Sequence, residues 1–159
     1  MVAGAGAQVL LVDADMRKGV LHERFGLRLA AGLCEVLSVG RNWEELVVAT
    51  GYPGLSLLPR GGLSERSGEL FLGERNGKFL KAAATKYEFV LFDTAPVMAA
   101  DDVTSLAPQM DAVVFVLRAE HTSARVARAA LELLYQRQVH RPSPRQATCW
   151  RDARRLPWR

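Results

Sequence analysis

Residues 9–17 constrain the fold of this chain more than any other part of its sequence. Four apolar residues typical of a buried strand are followed by Asp13, Ala14, Asp15, Met16 and Arg17. In a parallel sheet the carboxyl ends of the strands face the crevice where ligands bind, so both carboxylates are expected at a binding edge. Two acids at this spacing suit Mg²⁺, a hard ion that takes oxygen ligands and usually accompanies a phosphate.

Two other interpretations of this run must be weighed. An aspartate at a strand end often only caps the next turn or helix, and the sequence leaves that open for either acid. Gly4 and Gly6 precede the strand, as in a dinucleotide-binding motif, but there the ribose-binding acid lies about 20 residues beyond the glycines. Asp13 lies nine residues after Gly4, and no strand precedes the glycines, so the spacing excludes a Rossmann motif.

A second strand repeats the pattern of the first. Residues 88–93 end in Asp93, and a proline-bearing turn with Thr94, Ala95 and Pro96 follows. Strands of this kind supply the Walker B acid that holds Mg²⁺ in nucleoside-triphosphatases. Apolar runs that end in aspartate are common, so this signal is weak alone. Combined with the first acidic strand, 80 residues upstream, it indicates a magnesium–nucleotide site.

Alternating strand and helix patterns predict an α/β fold with a mostly parallel sheet flanked by helices. The predicted strands are 8–13, 55–59, 88–93 and 112–117, and the predicted helices are 33–37, 43–50, 69–86 and 122–138. At 159 residues the chain is long enough for one domain with a substantial core. No apolar run approaches the ~20 residues that span a bilayer. Cys34 and Cys149 lack metal-ligand spacing, and we interpret both as reduced thiols.

The basic charge of the chain is concentrated at its carboxyl end. Residues 141–159 hold six arginines and one aspartate, a net charge of +5, so the other 140 residues sum to −1. This segment also contains three prolines and shows no helical or strand period, which is typical of disorder. We therefore predict a domain over 1–140 and a disordered Arg/Pro-rich tail over 141–159. The composition does not favour nucleic acid as a partner.

Taken together, these motifs resemble the bacterial protein-tyrosine kinases, the autokinases of capsule and exopolysaccharide export. Residues 9–26 resemble the Walker A′ block of that family, including the trailing His22, Phe25 and Gly26. Residues 61–70 resemble its Pro-Ala-Glu-Leu-rich loop, and residues 89–96 its Walker B strand. The resemblance runs from about residue 4 to 140 and implies a P-loop NTPase-like fold. MinD and ParA ATPases share the acid-ended strands but lack the trailing pattern.

The resemblance implies ATP and Mg²⁺ as cofactors and assigns roles to individual residues. Asp13 would contact Mg²⁺ through water and accept the proton of the attacking tyrosine hydroxyl, and Asp93 would hold the Mg²⁺ shell. Asp15 would help to place the metal or the nucleophile. Arg17 would pair with phosphate or organise the adjacent loop, although a solvated arginine fits almost as well. His22 and Phe25 are expected to pack the loop.

The family also implies partners and a location. The expected partners are tyrosine-bearing protein substrates, a transmembrane polysaccharide co-polymerase or adaptor, and further copies of the chain. The expected location is the cytoplasmic face of the plasma membrane, reached through a partner or a separate domain.

Two departures from the family pattern bear on activity. The sequence contains no G-x-x-x-x-G-K-[ST] loop, whose amides and lysine cradle the phosphates, so we expect the first strand and this loop to be missing. The missing strand would neighbour 88–93, and its absence would leave an aggregation-prone edge.

The second departure follows residue 140. There the family's next strand and tyrosine cluster give way to the arginine-rich tail, as a shifted reading frame would produce.

Three hypotheses follow from the residues. The chain is an inactive fragment of a tyrosine autokinase, a MinD/ParA-like positioning ATPase, or a non-catalytic remnant.

Overall fold

The structure is a computed structural model, and it describes residues 6–99, 101–118 and 120–136. These residues form two compact units that divide after Leu106. The first unit contains the sheet and both acid-ended strands. The predicted tail over 141–159, with Cys149, and the predicted boundary at 140 lie outside the described residues.

A four-stranded sheet forms the centre of the first unit. Its strands are β1 (Val9–Asp13), β2 (Val48–Ala49), β3 (Leu55–Leu58) and β4 (Phe89–Asp93), in the order β2-β3-β1-β4. The strand β1 pairs in parallel with β3 and with β4, and β2 is antiparallel to β3. The predicted α/β fold with a mostly parallel sheet is confirmed.

Five helices and a 3₁₀ turn belong to the same unit. They are α1 (Leu21–Arg24), α2 (Leu33–Val39), the 3₁₀ turn Trp43–Glu45, α3 (Ser67–Leu72), α4 (Glu74–Lys86) and α5 (Asp102–Leu106). Helix α2 ends at Gly40, which adopts a left-handed conformation with φ of 75°. Phe79 of α4 packs edge-to-face on Phe92 of β4, with ring centroids 6.3 Å apart. Helix α4 therefore covers the Phe92 face of this strand.

Two helix predictions need correction. The predicted helix 43–50 is only the 3₁₀ turn Trp43–Glu45, and Val48–Ala49 instead form β2, because β3 offers their backbone a partner. The predicted helix 69–86 is two helices, interrupted where Gly73 takes an extended conformation (φ −74°, ψ 155°). A glycine in a helix interior is disfavoured, which explains why the break falls there.

The predicted strand 112–117 is wrong. No strand occurs among the described residues beyond Leu106, and the side chains of Val114 and Val116 are 85% and 82% exposed. An apolar run becomes a strand only where a neighbouring strand satisfies its backbone groups. The prediction rested on the hydrophobicity of residues 112–117, which does not show whether a neighbouring strand is available.

The second unit begins with a 3₁₀ turn, Ala107–Gln109, and contains α6 (Ala124–Gln136). Ser123 caps the start of this helix, since its Oγ accepts a hydrogen bond from the Val126 amide at 3.3 Å. Within α6, Ala130 and Leu134 are buried, whereas Val126 is exposed. No helix in the described part of the chain is long and apolar enough to cross a membrane.

Strand β4 lies at one edge of the described sheet and exposes apolar side chains there. Phe89 and Leu91, on the face opposite Phe92, are 42% and 51% exposed. An apolar edge strand without a lysine or proline to protect it is a site of self-association.

We predict that Leu91→Lys reduces concentration-dependent self-association, because it places a charge on this edge. Sedimentation velocity over a tenfold range of protein concentration would measure the change. Leu72→Lys is the matched control, since Leu72 is exposed on a helix. Equal effects of the two substitutions would contradict a role for the edge.

Two glycines give a second test of the fold. A Cβ at Gly32 would lie 1.9 Å from the Pro59 carbonyl oxygen, whereas a Cβ at Gly77, inside α4, meets nothing within 4 Å. We expect Gly32→Ala to lower the free energy of unfolding and Gly77→Ala to raise it by about 1 kcal/mol. Urea denaturation monitored by circular dichroism measures both, and a stabilising Gly32→Ala would contradict the packing described here.

Candidate functional site

The sheet brings the two predicted acids together. Asp13 and Asp93 are the last residues of β1 and β4 and are partners in the parallel register of these strands. The Ala14 amide donates a hydrogen bond to the Asp93 carbonyl oxygen at 2.8 Å, which extends the pairing past the strand ends. Both carboxylates therefore lie at the carboxyl edge of the sheet, where parallel α/β proteins bind ligands.

The Asp13 carboxylate is fully buried but only partly satisfied. Its Oδ2 accepts a hydrogen bond from the Leu21 amide at the start of α1, at 3.1 Å. Its Oδ1 is buried without a hydrogen-bond partner. Burying a carboxylate oxygen without a partner is costly, so such an atom marks a position where a ligand is expected.

Electrostatics at this edge are dominated by burial and like charge. Burial raises the pKa of Asp13, the Leu21 amide opposes that rise, and the charges of Asp93 and Asp15 add to it. Burial and the charge of Asp15 likewise raise the pKa of Asp93. Neighbouring carboxylates thus disfavour the ionised forms of Asp13 and Asp93, and a divalent cation would relieve this repulsion.

Asp15 has a structural contact in addition to its predicted role. Its Oδ1 accepts hydrogen bonds from the amides of Arg17 at 3.1 Å and Lys18 at 2.9 Å. This arrangement is an Asx turn, which holds the loop after β1 in shape. The turn-capping interpretation is therefore observed for Asp15, and its role in placing metal or nucleophile stays a prediction.

Arg17 lies on the outside of the same loop. Its Nη2 donates a hydrogen bond to the Glu65 carbonyl oxygen at 3.1 Å, so it joins the loop to the segment after β3. Of its two predicted roles, the structure therefore contains the loop-organising contact, and phosphate pairing stays a prediction.

His22 is buried in α1, and Phe25 packs edge-to-face on Tyr52 with ring centroids 6.1 Å apart. Both agree with the predicted packing roles.

Three residues that contribute to the site were missed in the sequence. A Cβ at Gly19 would lie 2.1 Å from Asp13 Oδ1, so this loop position accepts only glycine. Arg60 donates to the Gly19 carbonyl oxygen at 2.9 Å, and Glu35 holds the backbone around Arg60. The sequence feature that could have indicated them is the turn 59–62, where a proline, an arginine and two glycines follow a strand.

The donor set fits Mg²⁺ better than other common metals. The nearby side-chain ligands are carboxylates, and the Asp13 oxygen that lacks a partner lies among them. Within the described residues no group of three or more His, Cys, Asp or Glu side chains has the geometry of a metal centre. Magnesium does not require such a cage, because it commonly binds through one or two carboxylates and completes its shell with water and phosphate.

Comparison with known proteins places this geometry in a class. The chain covers 54% of the MinD cell division protein of Aquifex aeolicus, with a TM-score of 0.67 over 86% of the chain and 23% identity, which establishes a shared fold. The described fold is therefore shared with this protein, and in this chain the parallel strands β1 and β4 end in acids at the carboxyl edge of the sheet.

Sequence comparison then shows which proteins this chain is related to. The chain is 35% identical over 139 residues to a putative tyrosine-protein kinase EpsB of Ralstonia nicotianae, and 33% identical over 132 residues to the tyrosine-protein kinase YwqD of Bacillus subtilis. The kinase domain of the Escherichia coli tyrosine kinase ETK superimposes with a TM-score of 0.83 over 87% of the chain, at 26% identity. The chain is thus a relative of the bacterial tyrosine-protein kinases.

The extent of these matches differs between relatives. The alignments cover 87% and 83% of this chain, but only 18% of EpsB and 56% of YwqD. The chain covers 55% of the ETK kinase domain. No family model matches the chain.

The raised pKa of Asp13 yields a stability prediction. Because the folded pKa is raised, the protonated form stabilises the fold at low pH, and this contribution is lost as the pH rises through the folded pKa. We expect Asp13→Asn to be more stable than the unmodified chain at pH 8, with the difference disappearing near pH ~4.

Urea denaturation at the two pH values measures this difference. Asp101→Asn is the control, because Asp101 is exposed. A difference that does not depend on pH, or one shared by the control, would contradict the electrostatic origin.

Proposed function

We propose that the carboxyl edge of β1 and β4 is the magnesium-binding half of an ATP site in a tyrosine kinase domain. The single observation that carries this proposal is the register of Asp13 with Asp93, which places two carboxylates side by side at the ligand edge. The partnerless Oδ1 of Asp13 supports it. The bound ion would neutralise charge on the transferred phosphoryl group, which is its usual contribution to phosphoryl transfer.

Each of the site residues has its own role in this proposal. Asp13 and Asp93 hold the ion, mainly through water, and Asp15 keeps the loop after β1 in place beside them. Asp13 also accepts the proton of the tyrosine hydroxyl, a role favoured by the burial that raises its pKa and so its basicity. Arg17, on the exposed side of the loop, pairs with phosphate.

The proposed activity of the whole protein is transfer of the ATP γ-phosphate to tyrosine in the control of exopolysaccharide synthesis or export. This proposal rests on the kinase relatives, of which the chain spans only a part. Its proposed partners are tyrosine-bearing proteins, further copies of itself and a transmembrane polysaccharide co-polymerase. Its proposed location is the cytoplasmic face of the plasma membrane.

Manganese provides a test of the metal site on the chain as it stands. Mn²⁺ substitutes for Mg²⁺ and broadens the NMR signals of nearby amides. We expect selective broadening at residues 13, 14, 93 and 94, its loss in Asp13→Asn, and its retention in Asp101→Asn. Absence of broadening at these amides, or equal broadening in both variants, would overturn the proposed site.

Nucleotide binding is expected to differ from metal binding. The sequence contains no G-x-x-x-x-G-K-[ST] loop, and removal of even one preorganised donor typically costs about 3 kcal/mol. We therefore expect this chain alone to bind Mg·ATP with a Kd weaker than about 1 mM by calorimetry. We also expect it to form no phosphotyrosine on a supplied tyrosine peptide. Saturable binding at micromolar ATP would show that the phosphate cradle is not required.

A MinD-like positioning ATPase is the second candidate, because the fold is shared with MinD proteins. The kinase relatives at 33% and 35% identity favour the first candidate. The two functions differ in their product. A form of the protein that hydrolyses ATP with a supplied phosphate loop, but never yields phosphotyrosine, would favour the second.

A further inference from the structure

Arg60 follows β3, and its side chain crosses to the loop that follows β1. Its Nε donates a hydrogen bond to the Gly19 carbonyl oxygen at 2.9 Å, and its Nη1 donates to the Gly61 carbonyl oxygen at 2.7 Å. The side chain is partly buried. One guanidinium thus joins two loops that lie 41 residues apart in the sequence.

The acceptor of that bond lies directly against the Asp13 carboxylate. A Cβ at Gly19 would be 2.1 Å from Asp13 Oδ1 and 2.6 Å from the Asp15 carbonyl oxygen, so the backbone of Gly19 covers the acid closely. The Gly19 amide also donates to that Asp15 oxygen at 2.8 Å. Any outward movement of Gly19 would uncover Asp13 and change the space available beside its partnerless oxygen.

The backbone that carries Arg60 is itself firmly held. The first amides of α2, those of Leu33 and Cys34, donate to the carbonyl oxygens of Pro59 and Arg60 at 2.8 and 2.9 Å. The Glu35 carboxylate accepts hydrogen bonds from the amides of Gly62 at 3.0 Å and of Gly32 at 2.7 Å. Helix α2 therefore fixes the backbone around Arg60, and the Arg60 side chain in turn holds Gly19.

Other contacts hold the middle of the loop rather than its end. The Ser64 amide donates to the Met16 carbonyl oxygen at 3.2 Å, and Arg17 reaches the Glu65 carbonyl oxygen. These bonds are three and two residues away from Gly19. Arg60 thus contacts the part of the loop that covers the acid.

We propose that Arg60 is a positioning residue, which holds Gly19 against Asp13 and thereby sets the geometry of the metal-binding carboxylates. The inference rests on the proposed function for the role of Asp13, but the clamp itself depends only on the contacts of Arg60. An arginine suits this task because its planar fork donates in two fixed directions, whereas a lysine offers one flexible point charge.

Limited proteolysis tests the clamp. Arg17 and Lys18 are exposed trypsin sites within the loop, and cleavage there requires local opening. We expect Arg60→Ala to accelerate cleavage after these residues by roughly tenfold and Arg60→Lys to act in the same direction by less. Hydrogen exchange of the Leu21 amide, which donates to Asp13, is expected to accelerate in parallel.

Arg66→Ala is the matched control. Arg66 lies in the same segment, but its exposed side chain pairs only with Glu69, three residues away, among the contacts described. We expect cleavage and exchange in this variant to stay at the unmodified rates. Unchanged cleavage and exchange in Arg60→Ala would overturn the clamp, as would equal acceleration in Arg66→Ala.

A spectroscopic measurement separates positioning from general stability. We expect Arg60→Ala to need at least about fivefold more Mn²⁺ for the same broadening at residues 13 and 93, with partial recovery in Arg60→Lys. If Arg60→Ala accelerates cleavage of the loop but leaves the Mn²⁺ response unchanged, the positioning role is overturned. Failure of the unmodified chain to respond to Mn²⁺ would instead overturn the proposed function, while proteolysis would still decide the clamp.

Discussion

Burial of the Asp13 carboxylate is the constraint on which the rest of the site depends. The strand β1 lies between β3 and β4, and its last residue has Asp93 of β4 beside it and α1 and Gly19 against its side chain. An ionised carboxylate in such a position is unfavourable without compensating partners. The Leu21 amide donates to one oxygen, and the other oxygen remains available.

The loops around this acid are arranged to keep it in place. Asp15 caps the turn after β1, and the segment after β3 holds that loop at Met16, Arg17 and Gly19. The glycines at 19 and 32 permit backbone approaches that a Cβ would prevent. Side-chain and backbone contacts from distant parts of the sequence therefore converge on one carboxylate, which is the pattern expected where geometry matters for chemistry.

The fold is shared with solved structures, and strand β4 bears on the behaviour of the chain in solution. The ETK kinase domain and the MinD protein of Aquifex aeolicus share the fold of this chain, in which parallel strands end at Asp13 and Asp93. Strand β4 carries apolar side chains on an exposed face at the edge of the described sheet. An exposed edge of this kind favours association, so this strand links the chemistry of the site to the solution behaviour of the chain.

The sequence by itself determined the three main strands, the acids at their ends and the resemblance to the tyrosine kinases. Apolar runs that end in Asp13 and Asp93 are local patterns, and the block with His22 and Phe25 is a contiguous motif. Tertiary structure decided the rest. Residues 112–117 are as apolar as a strand but do not form one among the described residues, and residues 48–49 became a strand because β3 lies alongside. Contacts between segments far apart in the chain bring Arg60, Gly19 and Glu35 to the site. A local sequence pattern cannot predict such contacts, because they depend on which backbone atoms the fold places within reach of a distant side chain.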